Sequence, residues 1–299
     1  MNRAAALRLG AFAGALVLAF GAAFAIGSAV DPIAAADTAS STPAAHGEEM
    51  GGMEQAEHDE GGQLPGLAVS DAEYTFTPAT TSFQSGAKTQ LRFTIQGPDG
   101  KPVTQYTKTH EKDLHLIVVR RDLSGFHHVH PRMDATGAWS IPLTFTSGGT
   151  WRLYADFQAA GQDRKLTLGT DVNVSGSYTP VPLAKPASTY SVHGYDVTLQ
   201  GSPVAGRESE LTFQISRGGT PVTDLQPYLG AFGHLVSLRG GDLAYLHNHP
   251  AQHADPGMNG GPAITFGTTF PTAGTYRLYL DFQHAGAVHT AEFTVEVPS

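Results

Sequence analysis

Beyond residue 62 the hydrophobic side chains alternate with polar ones, and no stretch keeps an apolar period of 3.6 residues over three turns. The apolar segments are short, rich in β-branched and aromatic residues, and bounded by Gly, Pro, Asp or Ser, which is typical of strands. The pattern predicts ten strands: Leu91–Ile95, Leu114–Arg120, Trp139–Thr146, Trp151–Gln158, Lys165–Val174, Glu210–Ser216, His234–Arg239, Ala263–Phe270, Thr275–Gln283 and Ala291–Val297.

The alternation also predicts which side chains each strand buries. In the fourth predicted strand, Leu153, Ala155 and Phe157 lie on one face, and Tyr154 and Asp156 lie on the other. We expect the three apolar side chains to point into a core. The corresponding strand near the end of the chain has the same order of residue types.

The chain after residue 66 contains one unit twice, at an offset of about 120 residues. Each copy has about 105 residues and some seven short strands, five of which are among those given above, and this suggests an immunoglobulin-like sandwich. We therefore predict an all-β protein with tandem domains at 67–178 and 189–299, joined by a Pro-rich linker at 179–188. The matched segments are Leu91–Ile95 with Leu211–Ile215, Pro102–Thr104 with Pro221–Thr223, His115–Leu116 with His234–Leu235, His128–Pro131 with His247–Pro250, and Trp151–Gln158 with Tyr276–Gln283.

The first thirty residues have the composition of a membrane helix or a signal sequence. Arg3 and Arg8 precede an uncharged stretch, Leu9–Val30, which as a helix would span about 33 Å. Both basic residues lie before this stretch, which predicts that the rest of the chain is outside the cytoplasm. We expect a single-span cell-membrane protein, or a secreted one if the chain is cleaved near Ala36.

Residues 31–66 form a tail of different composition, with eight acidic residues and no Lys or Arg before residue 63. Small and polar residues fill most of the rest, so the tail cannot bury enough apolar surface to order itself. We predict a disordered spacer.

Overall composition excludes several classes of function. The chain has no Cys, which rules out disulfides, thiolate zinc sites, iron–sulfur clusters and cysteine nucleophiles. Its formal charge of −9 argues against nucleic acid as a partner. The 14 His, against 18 Lys plus Arg, are the unusual feature and point to metal chemistry.

A candidate metal site lies in each copy of the repeat. His128 and His130 are two residues apart, so on an extended segment both imidazoles project from one face. Neutral imidazoles suit a divalent transition metal ion. His115 is a third candidate ligand, and Asp156 either adds an oxygen or orients a ring. The matching candidates in the second copy are His234, His247, His249 and Asp281. The alternative is that these His are hydrogen-bonded strand and turn residues without a ligand.

Methionines beside histidines extend the candidate set. They are found in loops and in the tail, whereas Met is ordinarily a core residue. Thioether with imidazole favours Cu(I), and imidazole with carboxylate favours Cu(II) or Zn(II). The additional candidate ligands are His46, Met50, Met53, His58, Met133, His253 and Met258.

The segment from His46 to His58 resembles the Met/His-rich tails of bacterial envelope copper-handling proteins. The two β domains are similar in size and His content to the small sandwich domains of the CopC and YtkA-like type. The resemblance implies extracytoplasmic copper binding without catalysis. It departs from the CopC type in one respect: no His here is placed at a mature N-terminus.

We therefore expect a metal-binding protein that is not an enzyme and that buffers or delivers copper, or alternatively zinc, at the cell envelope. Its expected partners are metal ions, the membrane through the N-terminal helix, and other envelope metal-handling proteins. A cell-surface adhesion or scaffold module with incidental His is the main alternative. A zinc hydrolase is a minor one, because no neighbouring carboxylate stands out as a base.

Overall fold

A computed structural model describes residues 64–299, which belong to one compact unit. The predicted N-terminal helix and the tail ligands His46, Met50, Met53 and His58 lie outside the described residues. Between residues 64 and 299 all regular structure is β-strand. This part of the chain has no helix of the length and apolarity needed to cross a membrane.

The first domain is built from eleven strands. They are β1 Ser70–Asp71, β2 Tyr74–Pro78, β3 Ser82–Gln84, β4 Lys88–Gln96, β5 Tyr106–Thr107, β6 Leu114–Arg120, β7 His127–Val129, β8 Arg132–Met133, β9 Ala138–Thr144, β10 Gly149–Ala159 and β11 Leu166–Ser175.

The second domain repeats this arrangement with ten strands. They are β12 Thr189–Val192, β13 Tyr195–Gln200, β14 Glu208–Arg217, β15 Thr220–Pro221, β16 Gly233–Arg239, β17 Tyr245–His247, β18 His249–Pro250, β19 Ala263–Thr269, β20 Gly274–His284 and β21 Ala287–Val297.

Each domain is a sandwich of two sheets. In the first domain one sheet has the order β1-β2-β4-β9-β8 and the other β3-β11-β10-β6-β7. In the second domain the orders are β12-β13-β14-β19-β18 and β17-β16-β20-β21. These orders correspond to the ABED and GFC sheets of an immunoglobulin-like sandwich, and they confirm two tandem all-β domains.

The alternation predicted for β10 is present. Leu153, Ala155 and Phe157 are fully buried in the core of the first sandwich, around Trp151. The opposite face of β10 is buried as well, because Tyr154 is 0% exposed and belongs to a different cluster. A strand buried on both faces shows that something covers the outer face of its sheet.

The outer faces of the two central sheets cover each other. Both domains contribute to one apolar cluster, and the ring of Phe126 stacks on that of Tyr279 with centroids 3.9 Å apart. The buried members of the cluster are Ile117, Val119, Leu123, Tyr154, Val236, Leu238, Leu243, Tyr245 and Tyr279.

Two equivalent hydrogen bonds cross this interface. The Tyr154 hydroxyl donates to the carbonyl of Leu243 at 2.6 Å, and the Tyr279 hydroxyl donates to the carbonyl of Leu123 at 2.6 Å. Leu123 and Leu243 both have positive φ, 64° and 65°, in the turns after β6 and β16. Each domain therefore donates one tyrosine hydrogen bond to the other domain and accepts the equivalent bond from it.

The folded unit begins before residue 67, where the sequence pattern places the domain boundary. The carbonyl of Pro65 accepts a hydrogen bond from the amide of Tyr245 at 2.9 Å, and the amide of Gly66 donates to Thr167 at 2.8 Å. Gly66 has φ +76°. A Cβ on Gly169 would lie 1.9 Å from the carbonyl oxygen of Gly66. Backbone approach this close is possible only because position 169 is glycine.

The buried tyrosine hydroxyls should stabilise the fold measurably. Tyr154→Phe and Tyr279→Phe each leave a buried carbonyl without its donor, so each should lower the free energy of unfolding by about 1–2 kcal/mol. Urea unfolding measures this change. Tyr178→Phe is the matched control, since Tyr178 is exposed. Equal stability of all three variants would mean that the hydroxyls contribute nothing to domain packing.

Candidate metal centre

Three predicted ligands of the first domain meet at the domain interface. His115 lies on β6, His128 lies on the neighbouring strand β7, and His130 follows β7 directly. In the β6–β7 register His128 is opposite Ile117, which belongs to the interface cluster. Since alternate residues of a strand share a face, this register turns all three imidazoles toward the second domain.

The ring nitrogens of these three residues converge. His115 Nδ1 lies 3.1 Å from His128 Nε2 and 3.1 Å from His130 Nε2. One nitrogen from each ring lies within 4.8 Å of the other two. Nitrogens bound 2.0–2.1 Å from one ion are about 2.9 Å apart at a right angle and about 3.4 Å apart at the tetrahedral angle. The observed spacing falls between these values.

Hydrogen bonds at the far side of two rings decide where their protons lie. His115 Nε2 donates to the carbonyl of Thr109 at 2.9 Å, and His128 Nδ1 donates to Asp281 Oδ2 at 2.9 Å. These bonds leave His115 Nδ1 and His128 Nε2 facing each other 3.1 Å apart, a spacing that fits either one shared proton or one metal ion bound to both nitrogens.

The carboxylate that orients His128 comes from the second domain. Asp281 lies on β20, and its side chain and that of His128 are only 5% and 4% exposed. Its other oxygen, Oδ1, accepts from the Thr290 hydroxyl at 2.6 Å. Asp281 was predicted as a candidate of the second domain's own site, but in this structure it positions an imidazole of the first.

Burial lowers the pKa of three imidazoles at this interface. Burial, with a smaller contribution from His128, lowers the pKa of His115 to about 4. Burial, followed by His128 and His115, lowers the pKa of His130 to about 2. The pKa of His234 is lowered to about 3, mainly by burial and then by His128 and His115. Neutral imidazole is the form that binds metal.

His234 of the second domain lies beside this cluster. Its ring centroid is 6.3 Å from that of His115 and 6.1 Å from that of His128. Its Nε2 donates to the carbonyl of Tyr228 at 2.9 Å, as His115 donates to Thr109. A cavity of about 20 Å³ lies between the two domains at this point, with room for one water molecule or one ion. Among its lining residues are His110, His115, His128, Asp156, His234 and Tyr245.

For His247 and His249 the structure describes the backbone alone. His247 is opposite Val236 in the β16–β17 register, which is equivalent to His128 opposite Ile117. Asp156 is opposite His115, as Asp281 is opposite His234. Asp156 Oδ1 accepts from Thr167 at 3.0 Å, and the Tyr245 hydroxyl of the second domain lies 3.5 Å from its Oδ2.

The remaining candidates lie elsewhere. Met133 packs against the core of the first sandwich, which is the ordinary place for Met. Met258 is 49% exposed, and its sulfur accepts from the amide of Asp255. His253 is also exposed and lies 3.6 Å from Asp255. His110, which lines the cavity, was not predicted because its counterpart in the second copy is Leu229.

The family profile described as domain of unknown function DUF8832 matches residues 68–175 and again residues 190–299. The chain belongs to the DUF8832 family. Its two copies of the domain are the two sandwiches. No curated protein matches the chain.

Solved structures resemble this DUF8832 protein only distantly. A DUF4426 family protein from Pseudomonas aeruginosa shares 10% identity over 36% of this chain and 92% of its own, with a TM-score of 0.27. The Escherichia coli adhesin FdeC shares 16% sequence identity over 78% of this chain and 66% of its own, with a TM-score of 0.25. InvD from Yersinia pseudotuberculosis shares 13% identity over 77% of this chain and 59% of its own, with a TM-score of 0.24. Scores this low carry no argument about function.

The buried neutral histidines predict acid sensitivity of the metal-free protein. In the unfolded chain each imidazole has a pKa of about 6.5, whereas His115, His130 and His234 have lowered values in the folded state. Below about pH 6.5 the unfolded chain therefore binds more protons than the folded protein does. The free energy of unfolding should decrease progressively as the pH falls from about 6.5 toward the pKa values of the folded state.

Thermal unfolding of chelator-treated protein at about pH 7 and about pH 5 measures this effect. The midpoint should fall at the lower pH, and His130→Gln should reduce the fall. A variant with the same pH dependence as the wild type would contradict the prediction.

Proposed function

We propose that this protein binds a transition metal ion at the domain interface, through His115, His128 and His130, and that it buffers or delivers this metal outside the cytoplasm. The observation that supports the proposal is the convergence of three ring nitrogens, with His115 Nδ1 3.1 Å from the Nε2 atoms of His128 and His130 and outward hydrogen bonds on the far side of the His115 and His128 rings. Outer hydrogen bonds to a carbonyl and a carboxylate are typical of metal-binding imidazoles.

Copper is the metal that we propose, with zinc as the alternative. All three converging donors are imidazole nitrogens, which suit copper, zinc and nickel. Among divalent ions, Cu(II) binds such sites most tightly. The sequence argument for Cu(I) rested on Met50, Met53, Met133 and Met258. The first two lie outside the described residues, and neither Met133 in the core nor the exposed Met258 adds to it. We therefore propose Cu(II) rather than Cu(I) for this centre.

A second ion belongs to the same proposal. His234 has the same position and the same outer hydrogen bond as His115, and the backbone of His247 has the register of His128. We propose His234, His247 and His249 as the ligand set of the second domain, with Asp156 as its orienting carboxylate. His234 lies beside the first set, which supports the proposal that the two sets belong to one inter-domain centre.

Storage or transfer of the ion suits this site better than catalysis. The cavity of about 20 Å³ holds an ion or a water molecule and is too small for an organic substrate. The uncharged segment Leu9–Val30 and the basic residues before it support a location at the cell envelope. Membrane attachment and exchange with other envelope metal-handling proteins are parts of this proposal.

Loss of one ligand should weaken binding strongly. His128→Ala and His130→Ala each remove a converging nitrogen, and we expect a loss of Cu(II) affinity at least as large as the about 10–100-fold typical for loss of a group that hydrogen-bonds to a ligand. His127→Ala is the matched control, because the His127 ring lies against Trp151, with centroids 6.3 Å apart. Calorimetric titration of untagged protein with Cu(II), and separately with Zn(II), measures the affinities. Equal losses in all three variants would indicate unspecific binding. No saturable binding by the wild type would exclude the proposal and favour the adhesion module.

The carboxylate across the interface should matter although it is not a ligand. Asp281→Asn removes the charge that orients His128 and supports its basicity, so Cu(II) affinity should fall about 10–100-fold. Asp255→Asn is the control, since it removes the same charge from an exposed Asp–His pair. The same titration measures both variants. If Asp281→Asn bound Cu(II) as tightly as Asp255→Asn, the first domain would need no partner to form its site.

A further inference from the structure

A second group of histidines occupies a corner of the second domain, and no part of the proposed function uses it. His193 lies in the two-residue turn between β12 and β13, with φ +48°. Gly194 follows with φ +84°, so both turn residues have the left-handed conformation of a tight hairpin. The turn projects the exposed His193 ring toward β21 of the other sheet.

His289 on β21 is the partner of His193. The two Nδ1 atoms lie 3.1 Å apart. The His289 residue is only 9% exposed, and its ring lies against Tyr195 and Phe282, with centroid distances of 4.5 and 5.3 Å. One imidazole is therefore held rigidly and the other is accessible from solvent.

His284 belongs to the same corner but has no nitrogen left for a ligand. Its Nδ1 accepts from the Tyr195 hydroxyl at 2.6 Å, and its Nε2 donates to Asp224 at 3.0 Å. These two hydrogen bonds fix Tyr195, and the Tyr195 ring in turn packs on His289. The Asp224–His284–Tyr195 network thus holds His289 in its position opposite His193.

The fold does not require histidine at either position. By the strand registers, His193 corresponds to Ala72 and His289 corresponds to Leu166 in the first domain. Leu166 is buried and packs in the core of that domain. The first domain forms the same corner with apolar residues, so packing alone does not account for the histidine pair.

We propose that His193 and His289 form a separate, solvent-accessible site for a divalent transition metal ion such as Zn²⁺ or Cu²⁺, with water completing the coordination. The Nδ1 spacing of 3.1 Å fits two nitrogens bound to one ion, by the same comparison as for the inter-domain centre. Imidazole suits both metals. Burial, followed by the neighbouring His193, lowers the pKa of His289, which keeps this ring neutral for binding.

Chemical modification with a residue-level readout tests the site. Diethylpyrocarbonate modifies accessible imidazoles, and mass spectrometry of the digested full-length protein gives the modification rate of each histidine. With Zn²⁺ as the probe, we expect the rate at His193 to fall about tenfold in the wild type. The rate at His253, which is exposed and far from the pair in sequence, serves as the internal control and should not change.

The variant His289→Leu carries the residue that the first domain has at this position, so it should fold. In it, Zn²⁺ should no longer protect His193; thermal unfolding checks the fold. Equal protection of His193 and His253 in the wild type, or protection of His193 that persists in His289→Leu, would overturn the proposal. His128→Ala and His130→Ala should leave the protection of His193 unchanged, so this site and the inter-domain centre succeed or fail separately.

Discussion

The mutual burial of the two outer sheet faces is the constraint on which the rest of the structure depends. Each central sheet is apolar on both sides, and water cannot cover the second side without a large loss of hydrophobic stabilisation. Since β6 and β7 carry histidines on this same face, the packing that hides the apolar residues also removes the imidazoles from water. The lowered pKa of His115 and the shielded contact of His128 with Asp281 both follow from this burial.

Much of the fold follows from the two-residue period of the sequence. All ten predicted strands are present, and Leu114–Arg120 has the predicted bounds. Eleven of the 21 strands were not predicted, among them Tyr74–Pro78, Ser82–Gln84 and Tyr195–Gln200. These three are short, and their apolar side chains are interrupted by polar ones, so only pairing with β4, β11 and β14 gives them their structure.

The candidate site was partly visible for a different reason. The internal repeat singled out His115, His128 and His130 because similarity between two copies marks residues that a lone His-x-His pair would not. The role of Asp281 could not be inferred in this way. The spacing of residues within one copy does not indicate which side chains of the other copy contact them. Those contacts depend on how the two domains pack. His110 was not predicted, because the second copy has Leu229 at the equivalent position.

The contact between His128 and Asp281 also bears on the origin of the chain. Each copy of the repeat carries both an imidazole of this type and a carboxylate of this type, but the observed bond joins one copy to the other. A lone ancestral domain could have made it only by pairing with a second molecule, as isologous homodimers do. Fusion of two copies turns that encounter into an intramolecular one with a high effective concentration. The linked protein therefore keeps its bond between copies at any dilution.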